Sequence, residues 1–208
     1  MMEIEKFDKS WLRKLWKPED ATGKFDGGQV TIVGGSSLFH GAPILALKAA
    51  SRLVSMVYFA TPEADRKLVE GIKSELASFI WIPRDEISEY VVKSDAILIG
   101  PGMMRNRREK DGVVCDDQGR ETRDLTIGLF KKFPHKKWVV DGGALQVIDV
   151  KDIPAGSLIT PNKKEYQMLF GSALEGTFEQ KVEKLNKDAK QYKLAILAKE
   201  AISVVADG

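Results

Sequence analysis

The residues of this sequence that could do chemistry recur directly after short apolar runs. Gly34, Gly35, Ser36, Ser37, Leu38, Phe39, His40, Gly41, Ala42 and Pro43 follow the run Val30, Thr31, Ile32, Val33 and lead into the helical pattern that begins at Ile44. A buried strand that ends in a glycine- and serine-rich turn and opens a helix leaves backbone N–H groups free at a positive helix end. Such a place suits a phosphate or polar ligand. Taken alone, the turn is a tightly packed strand-to-helix corner, but it is not alone. Gly100, Pro101 and Gly102 follow the run 96–99, Asp141, Gly142, Gly143, Ala144 and Leu145 follow 138–140, and Pro161, Asn162, Lys163, Lys164 and Glu165 follow 158–160. Glycine lets backbone approach a ligand closely, Asp141 can orient a hydroxyl or a metal-bound water, and Asn162 offers both a donor and an acceptor.

These tips need a scaffold that brings them to one side. Strand patterns fall at 30–33, 56–60, 79–82, 96–99, 138–140, 158–160, 194–197 and 202–205, and helical patterns at 43–53, 63–77, 121–132, 144–149, 163–170 and 178–192. Short apolar strands alternating with helices predict an α/β fold, a three-layer αβα sandwich around a mostly parallel sheet. In such sheets ligands collect outside the carboxyl ends of the strands, where these tips lie. The stretch 103–120 has no clear period and is long for a connection. It reads either as a solvated surface excursion or as a lid whose arginines reach anionic groups of a substrate.

Composition narrows the classes further. The chain has 208 residues, 43% of them hydrophobic and 30% charged, as in a soluble globular domain. Lys and Arg number 32 against 30 Asp and Glu, and a net charge of +2 gives no nucleic-acid footprint. No apolar run approaches a membrane span, and the charges Glu3, Glu5, Lys6 and Asp8 interrupt any signal-peptide core. Phe7, Trp11, Leu12, Leu15 and Trp16 stand at helical spacing and predict an amphipathic leading helix packed on the body of the fold or on a neighbouring subunit. The single cysteine, Cys115, requires no oxidising compartment and has no recognisable nucleophile context, so the cytoplasm is the expected location. His40 and His135 lack partners at metal-ligand spacing, and no metal site is expected from side chains. The run Lys131, Lys132, Phe133, Pro134, His135, Lys136, Lys137 reads as a solvated helix end and turn.

The order Gly-Gly-Ser-x-x-Phe-x-Gly-Ala-Pro, Gly-Pro-Gly, Val-Val-Asp-x-x-Ala-Leu, Ile-Thr-Pro-x-x-x-Glu and Leu-x-Lys-x-x-x-Ser resembles the ADP- or ATP-dependent NAD(P)H-hydrate dehydratases of the ribokinase-like superfamily. The likeness runs from about Gly23 to Gly208. It implies repair of the S epimer of hydrated NADH or NADPH, driven by ADP or ATP with Mg2+. An attractive route transfers a phosphoryl group to the 6-hydroxyl before elimination, because phosphate leaves far more readily than hydroxide. By this resemblance Ala42, Gly102 and Asn162 contact the hydrated dinucleotide, and Lys199, Glu200, Ala201, Ile202 and Ser203 lie along the nucleotide. A homo-oligomer is also implied. A vitamin-precursor kinase of the same superfamily and a non-catalytic nucleotide-binding domain are the other readings, and the Gly-Gly-Ser turn favours the dehydratase.

The departures from the family pattern are specific. Asn162 stands for a histidine and keeps hydrogen bonding without a titratable proton. Lys163 and Lys164 replace small residues or proline, which adds positive charge beside a phosphate-rich dinucleotide. Glu200 replaces a glycine on the nucleotide side, and Met104 another after Gly-Pro-Gly. The family's Gly-x-Gly-Asp, whose glycines form an anion hole and whose aspartate is the expected base, occurs nowhere in these residues. The expectation is therefore a single domain over residues 1–208 without its C-terminal glycine-rich catalytic segment, catalytic residues unassigned, and the 208-residue chain inactive by itself.

Overall fold

The computed structural model describes residues 4–15, 17, 23, 25–109, 112–114 and 116–208. Its strands are β1 (Gln29–Val33), β2 (Met56–Ala60), β3 (Ile80–Ile82), β4 (Ala96–Ile99), β5 (Arg107–Glu109), β6 (Gly112–Val114), β7 (Lys137–Val140), β8 (Leu158–Ile159), β9 (Ala195–Ala198) and β10 (Val204–Ala206). Its α-helices are α1 (Gly41–Ala50), α2 (Arg66–Lys73), α3 (Ile87–Lys93), α4 (Asp117–Lys132), α5 (Gly142–Leu145), α6 (Lys163–Phe170) and α7 (Phe178–Tyr192).

An eight-stranded sheet runs β10-β9-β8-β7-β4-β1-β2-β3, and β5 pairs with β6 in a separate antiparallel hairpin. Every neighbour in the main sheet is parallel except β10, which runs antiparallel to β9. Register fixes the rim. Val33 is level with Ile99, Ile99 with Val140, Val140 with Ile159, and Ile159 with Ile196. Whatever follows β1, β4, β7 and β8 therefore emerges along one edge.

Two apolar clusters flank the sheet. Ile32, Val57 and Phe59 pack with Leu47 of α1 and with Val69 and Ile72 of α2. The other cluster joins Ile97, Trp138, Ile159 and Ile196 to Ile87 of α3, Phe130 of α4, Tyr166 of α6 and Leu185 of α7. Strand β2 is buried at every position because helices cover both of its faces. Strands β4, β7 and β9 instead alternate, with Leu98, Val139, Ala195 and Leu197 only half-buried. On that half of the sheet, Val139, Leu158, Ala195 and Leu197 belong to neither cluster.

Tyr166 is fully buried, and its hydroxyl donates to Asp188 of α7, whose carboxylate also accepts from Lys184 Nζ at 3.2 Å. Burial and the adjoining carboxylate push the phenol well above the ordinary tyrosine range. Tyr166→Phe is expected to lower unfolding free energy by about 1 kcal/mol, measured by urea titration, because the ring still packs and Lys184 still serves Asp188.

Most expected elements form, but the helix expected at 63–77 is a 3-10 turn, Glu63–Asp65, followed by α2, and the one expected at 144–149 is the shorter, earlier α5. Helix α1 begins at Gly41 and ends at Ala50, and α4 begins at Asp117, where the Asp116 side chain caps it by accepting from Gly119 N at 2.8 Å. The stretch 103–120 thus contains the β5–β6 hairpin and the first turn of α4. The leading segment forms a 3-10 helix, Lys9–Lys14; Trp11 and Leu12 within it and Phe7 and Leu15 beside it are exposed, so these side chains do not pack into the body of the fold. Trp16 and Cys115 lie outside the described residues. No helix among the described residues is long and apolar enough to cross a membrane.

Candidate functional site

The turn after β1 is bonded to the turn after β4. Gly35 N–H donates to the Pro101 carbonyl at 2.9 Å, and Gly100 N–H donates to Val33 at 3.0 Å. Gly143 N–H in turn donates to Gly100 at 3.1 Å, and Asp141 N–H to Ile99 at 3.0 Å. Gly100 and Gly102 are obligatory here. Gly100 has φ +114°, and a Cβ on it would lie 1.8 Å from the Asp141 carbonyl oxygen. Gly102 has φ +69°, and a Cβ there would lie 2.5 Å from the Phe39 carbonyl oxygen and 2.8 Å from Pro43. Gly102 therefore sits against the start of α1, where Ala42 is exposed next to Pro43.

A cluster of charges supports this corner from below. Arg84 Nη2 donates to the Gly35 carbonyl at 2.7 Å and reaches that of Gly34 at 3.4 Å. Its neighbour Asp65 is buried, and His40 Nδ1 lies 3.6 Å from Asp65 Oδ1. Burial raises the Asp65 carboxyl above its ordinary range against the pull of His40 and Arg84, and burial also lowers the Arg84 guanidinium. Neither Arg84 nor Asp65 stands in a recognisable motif of the sequence. A lone arginine after Pro83 carries no spacing signal, and its role appears only when β3 brings it beside the Gly34 turn.

Along the sheet, Asp141 is the carboxylate of the rim. Thr160 Oγ1 donates to its Oδ1 at 2.8 Å, and Lys199 Nζ donates to the same oxygen at 2.5 Å. Both bonds fall on Oδ1, so that among the described residues Oδ2 has no hydrogen-bond partner and can accept from a ligand hydroxyl. Lys199 is tied to the β8 end by its backbone as well. Its N–H donates to Pro161 at 2.9 Å, and it forms a parallel bridge with Asn162.

Asn162 caps α6. Its side-chain oxygen accepts from Lys164 N at 2.9 Å and Glu165 N at 3.0 Å, and Glu165 Oε2 accepts from Asn162 N at 2.9 Å, which closes a capping box. Only its amide NH2 remains for a ligand. The spacing Asn-x-x-Glu before an apolar helix is the signal that foretells this cap.

The stretch 199–203 divides. Lys199 turns to Asp141, whereas Glu200, Ala201 and Ile202 line a cavity of about 210 Å3 beside Phe178 and Leu185 of α7. Lys181 of α7 donates to Glu200 Oε2 at 2.6 Å. Ser203 is exposed between β9 and β10. The structure thus brings Ala42, Gly102, Asp141, Asn162 and Lys199 onto one rim in the order of their strands, and sets Glu200, Ala201 and Ile202 in a separate apolar cavity.

A mostly parallel sheet with its turns gathered along the carboxyl edge is the frame of an open α/β ligand-binding fold. The family model described as NAD(P)H-hydrate dehydratase matches residues 30–208, and the chain belongs to that family. It is 30% identical to the bifunctional NAD(P)H-hydrate repair enzyme Nnr of Hyperthermus butylicus over 94% of this chain and 36% of that protein. It is 28% identical to the ADP-dependent (S)-NAD(P)H-hydrate dehydratase of Cenarchaeum symbiosum over 89% of this chain and 63% of that one. The chain therefore spans less than two thirds of the length of these relatives. Among solved structures, the ADP/ATP-dependent NAD(P)H-hydrate dehydratase of Bacillus subtilis, co-crystallized with ATP/Mg2+, superposes with a TM-score of 0.72 at 17% identity, covering 100% of this chain and 70% of that one. A Streptococcus mutans protein superposes with a TM-score of 0.75 at 21% identity, covering 97% and 70%. These two likenesses establish the fold.

Proposed function

We propose that this chain is the substrate- and nucleotide-binding body of an ADP- or ATP-dependent dehydratase that restores NADH or NADPH from the S epimer of its hydrate. The observation that carries this reading is the convergence of Ala42, Gly102, Asp141, Asn162 and Lys199 on one rim, in a chain of the dehydratase family. In this reading the hydrated nicotinamide end lies against Ala42 and Gly102 and takes a hydrogen bond from the Asn162 amide. Asp141 Oδ2 accepts from the 6-hydroxyl, and Lys199 presents its ammonium to the nucleotide phosphates, with residues 200–203 following the rest of the nucleotide. Phosphoryl transfer to the 6-hydroxyl turns it into a phosphate that departs as the ring loses a proton from the adjacent carbon, which regenerates the ring double bond.

Magnesium fits as a companion of the nucleotide. Among the described residues no three His, Cys, Asp or Glu side chains gather to hold an ion, and Mg2+ is ordinarily held by phosphate oxygens and water with one or two carboxylates. The reading further takes residues 1–208 as one domain that works with a C-terminal glycine-rich segment, as a homo-oligomer in the cytoplasm.

Binding tests the site. NADPH and its hydrate, titrated against the 208-residue chain and Ala42→Trp, are expected to bind the variant about tenfold more weakly, because an exposed indole beside Gly102 fills the substrate position. Circular dichroism of the two proteins should coincide, since Ala42 is exposed. Equal affinities would remove Ala42 from the substrate site.

A further inference from the structure

The connection after β4 and the first turn of α6 meet at a small polar cavity of about 90 Å3, lined by Arg105, Gln146, Asn162, Lys164 and Glu165. Its one carboxylate is already satisfied. Glu165 is buried, and its Oε1 accepts from Gln146 Nε2 at 3.0 Å while Oε2 accepts from Asn162 N at 2.9 Å. The backbone N–H groups of Lys164 and Glu165 are taken by the Asn162 cap. Donors at this cavity are therefore the Asn162 amide and the two cationic side chains, Arg105 and Lys164, and the charge lies on the latter two.

Those side chains stand apart from the other cations nearby. Lys163 pairs with Glu175 at 3.6 Å, Lys181 with Glu200 at 2.6 Å, and Lys199 with Asp141 at 2.5 Å. Arg105 and Lys164 have no ion-pair partner among the described residues. Two cations against one carboxylate leave the cavity a single positive charge, which one bound anion balances. Size then selects the anion's kind. Water takes about 30 Å3 in the liquid, and pockets for ring systems run to roughly 300 Å3 or more. A cavity of about 90 Å3 is ample for a group of a few heavy atoms such as a phosphate.

We propose that Arg105 and Lys164 form a phosphate subsite for the dinucleotide substrate, the Arg105 guanidinium gripping two oxygens as a fork and the Lys164 ammonium neutralising the remaining charge. The inference rests on the dinucleotide reading of the rim given above. Two phosphates of the substrate share this chemistry: the pyrophosphate, present in NADH and NADPH alike, and the 2′-phosphate of NADPH alone. The phosphates of ADP are a separate source, assigned to Lys199.

Dissociation constants of NADH, NADPH and ADP, measured by nucleotide fluorescence and calorimetry at two salt concentrations, separate these cases in the 208-residue chain and in Arg105→Gln, Lys164→Gln and the double variant. Each single variant is expected to weaken dinucleotide binding about threefold to tenfold and the pair about 30-fold, with a flatter salt dependence, while ADP binding stays within about twofold. Lys164→Arg keeps the charge and is expected to bind like the parent. Equal losses for NADH and NADPH assign the subsite to the pyrophosphate; a loss confined to NADPH assigns it to the 2′-phosphate. If the parent binds both dinucleotides and the double variant binds them equally well, the subsite is wrong and the dinucleotide reading stands. A loss confined to ADP also overturns the subsite, by moving the pair to the nucleotide. If the parent binds neither dinucleotide while ADP binds, the dinucleotide reading fails and the subsite falls with it.

Discussion

Residues 1–208 joined to a glycine-rich segment ending in Gly-x-Gly-Asp are expected to restore NADH from its S hydrate about 10,000-fold faster than the 208 residues alone. The figure is the product of two contributions. A positioned base at the 6-hydroxyl and backbone N–H donors at the transferring phosphate each commonly supply about a hundredfold. The rim described above offers neither in full. Its N–H groups at Gly35, Gly100 and Gly143 are already bonded to protein carbonyls, and Oδ1 of Asp141 is held by Thr160 and Lys199. Recovery of NADH absorbance with ADP or ATP and magnesium is the assay. Turnover by the 208 residues alone at about 1 per second, an ordinary enzymatic rate, would place the base within them and make Asp141 the residue to mutate first.

The pair Lys199 and Asp141 separates binding from activation by sign. Lys199→Met is expected to weaken ADP about a hundredfold, because a charge-assisted contact to phosphate is lost and the Asp141 carboxylate is left to repel the anion. Asp141→Asn removes that repulsion and frees the ammonium, so ADP is expected to bind at least as tightly as in the parent. In the extended chain the same Asp141→Asn is expected to slow dehydration about tenfold, since the carboxylate that orients the 6-hydroxyl is lost while the base of the added segment remains. Equal weakening of ADP by both substitutions would show that the two residues act on the nucleotide only as a structural unit.

What the sequence made legible follows from burial. The continuous apolar runs 56–60 and 96–99 coincide with β2 and β4 because central parallel strands are selected for apolar side chains. Helix α3 was missed because it has seven residues, and its consecutive Tyr90, Val91 and Val92 obscure the spacing of the buried Ile87 and Val91. The rim tips were legible because each follows a strand end. Their partners were not: Arg84, Asp65 and Thr160 reach the rim through neighbouring strands, and one chain read alone gives no pairing. The stretch 199–203 read as one binding segment, but side chains alternate at a strand end, which sends Lys199 toward Asp141 and Glu200 toward Lys181.

The backbone bonds that lock the turns after β1, β4 and β7 to one another also shape how this rim can change. A substitution that shifts the Gly100 turn moves the carbonyls on which Gly35 and Gly143 depend, so changes there are felt together and their effects do not add. Such a rim evolves as a block and resists stepwise remodelling. Arg105 and Lys164 lie outside that ladder, on side chains that no bonded neighbour among the described residues constrains. They can be exchanged one at a time, and selectivity among related ligands can drift at that edge while the chemistry beside Asp141 stays fixed.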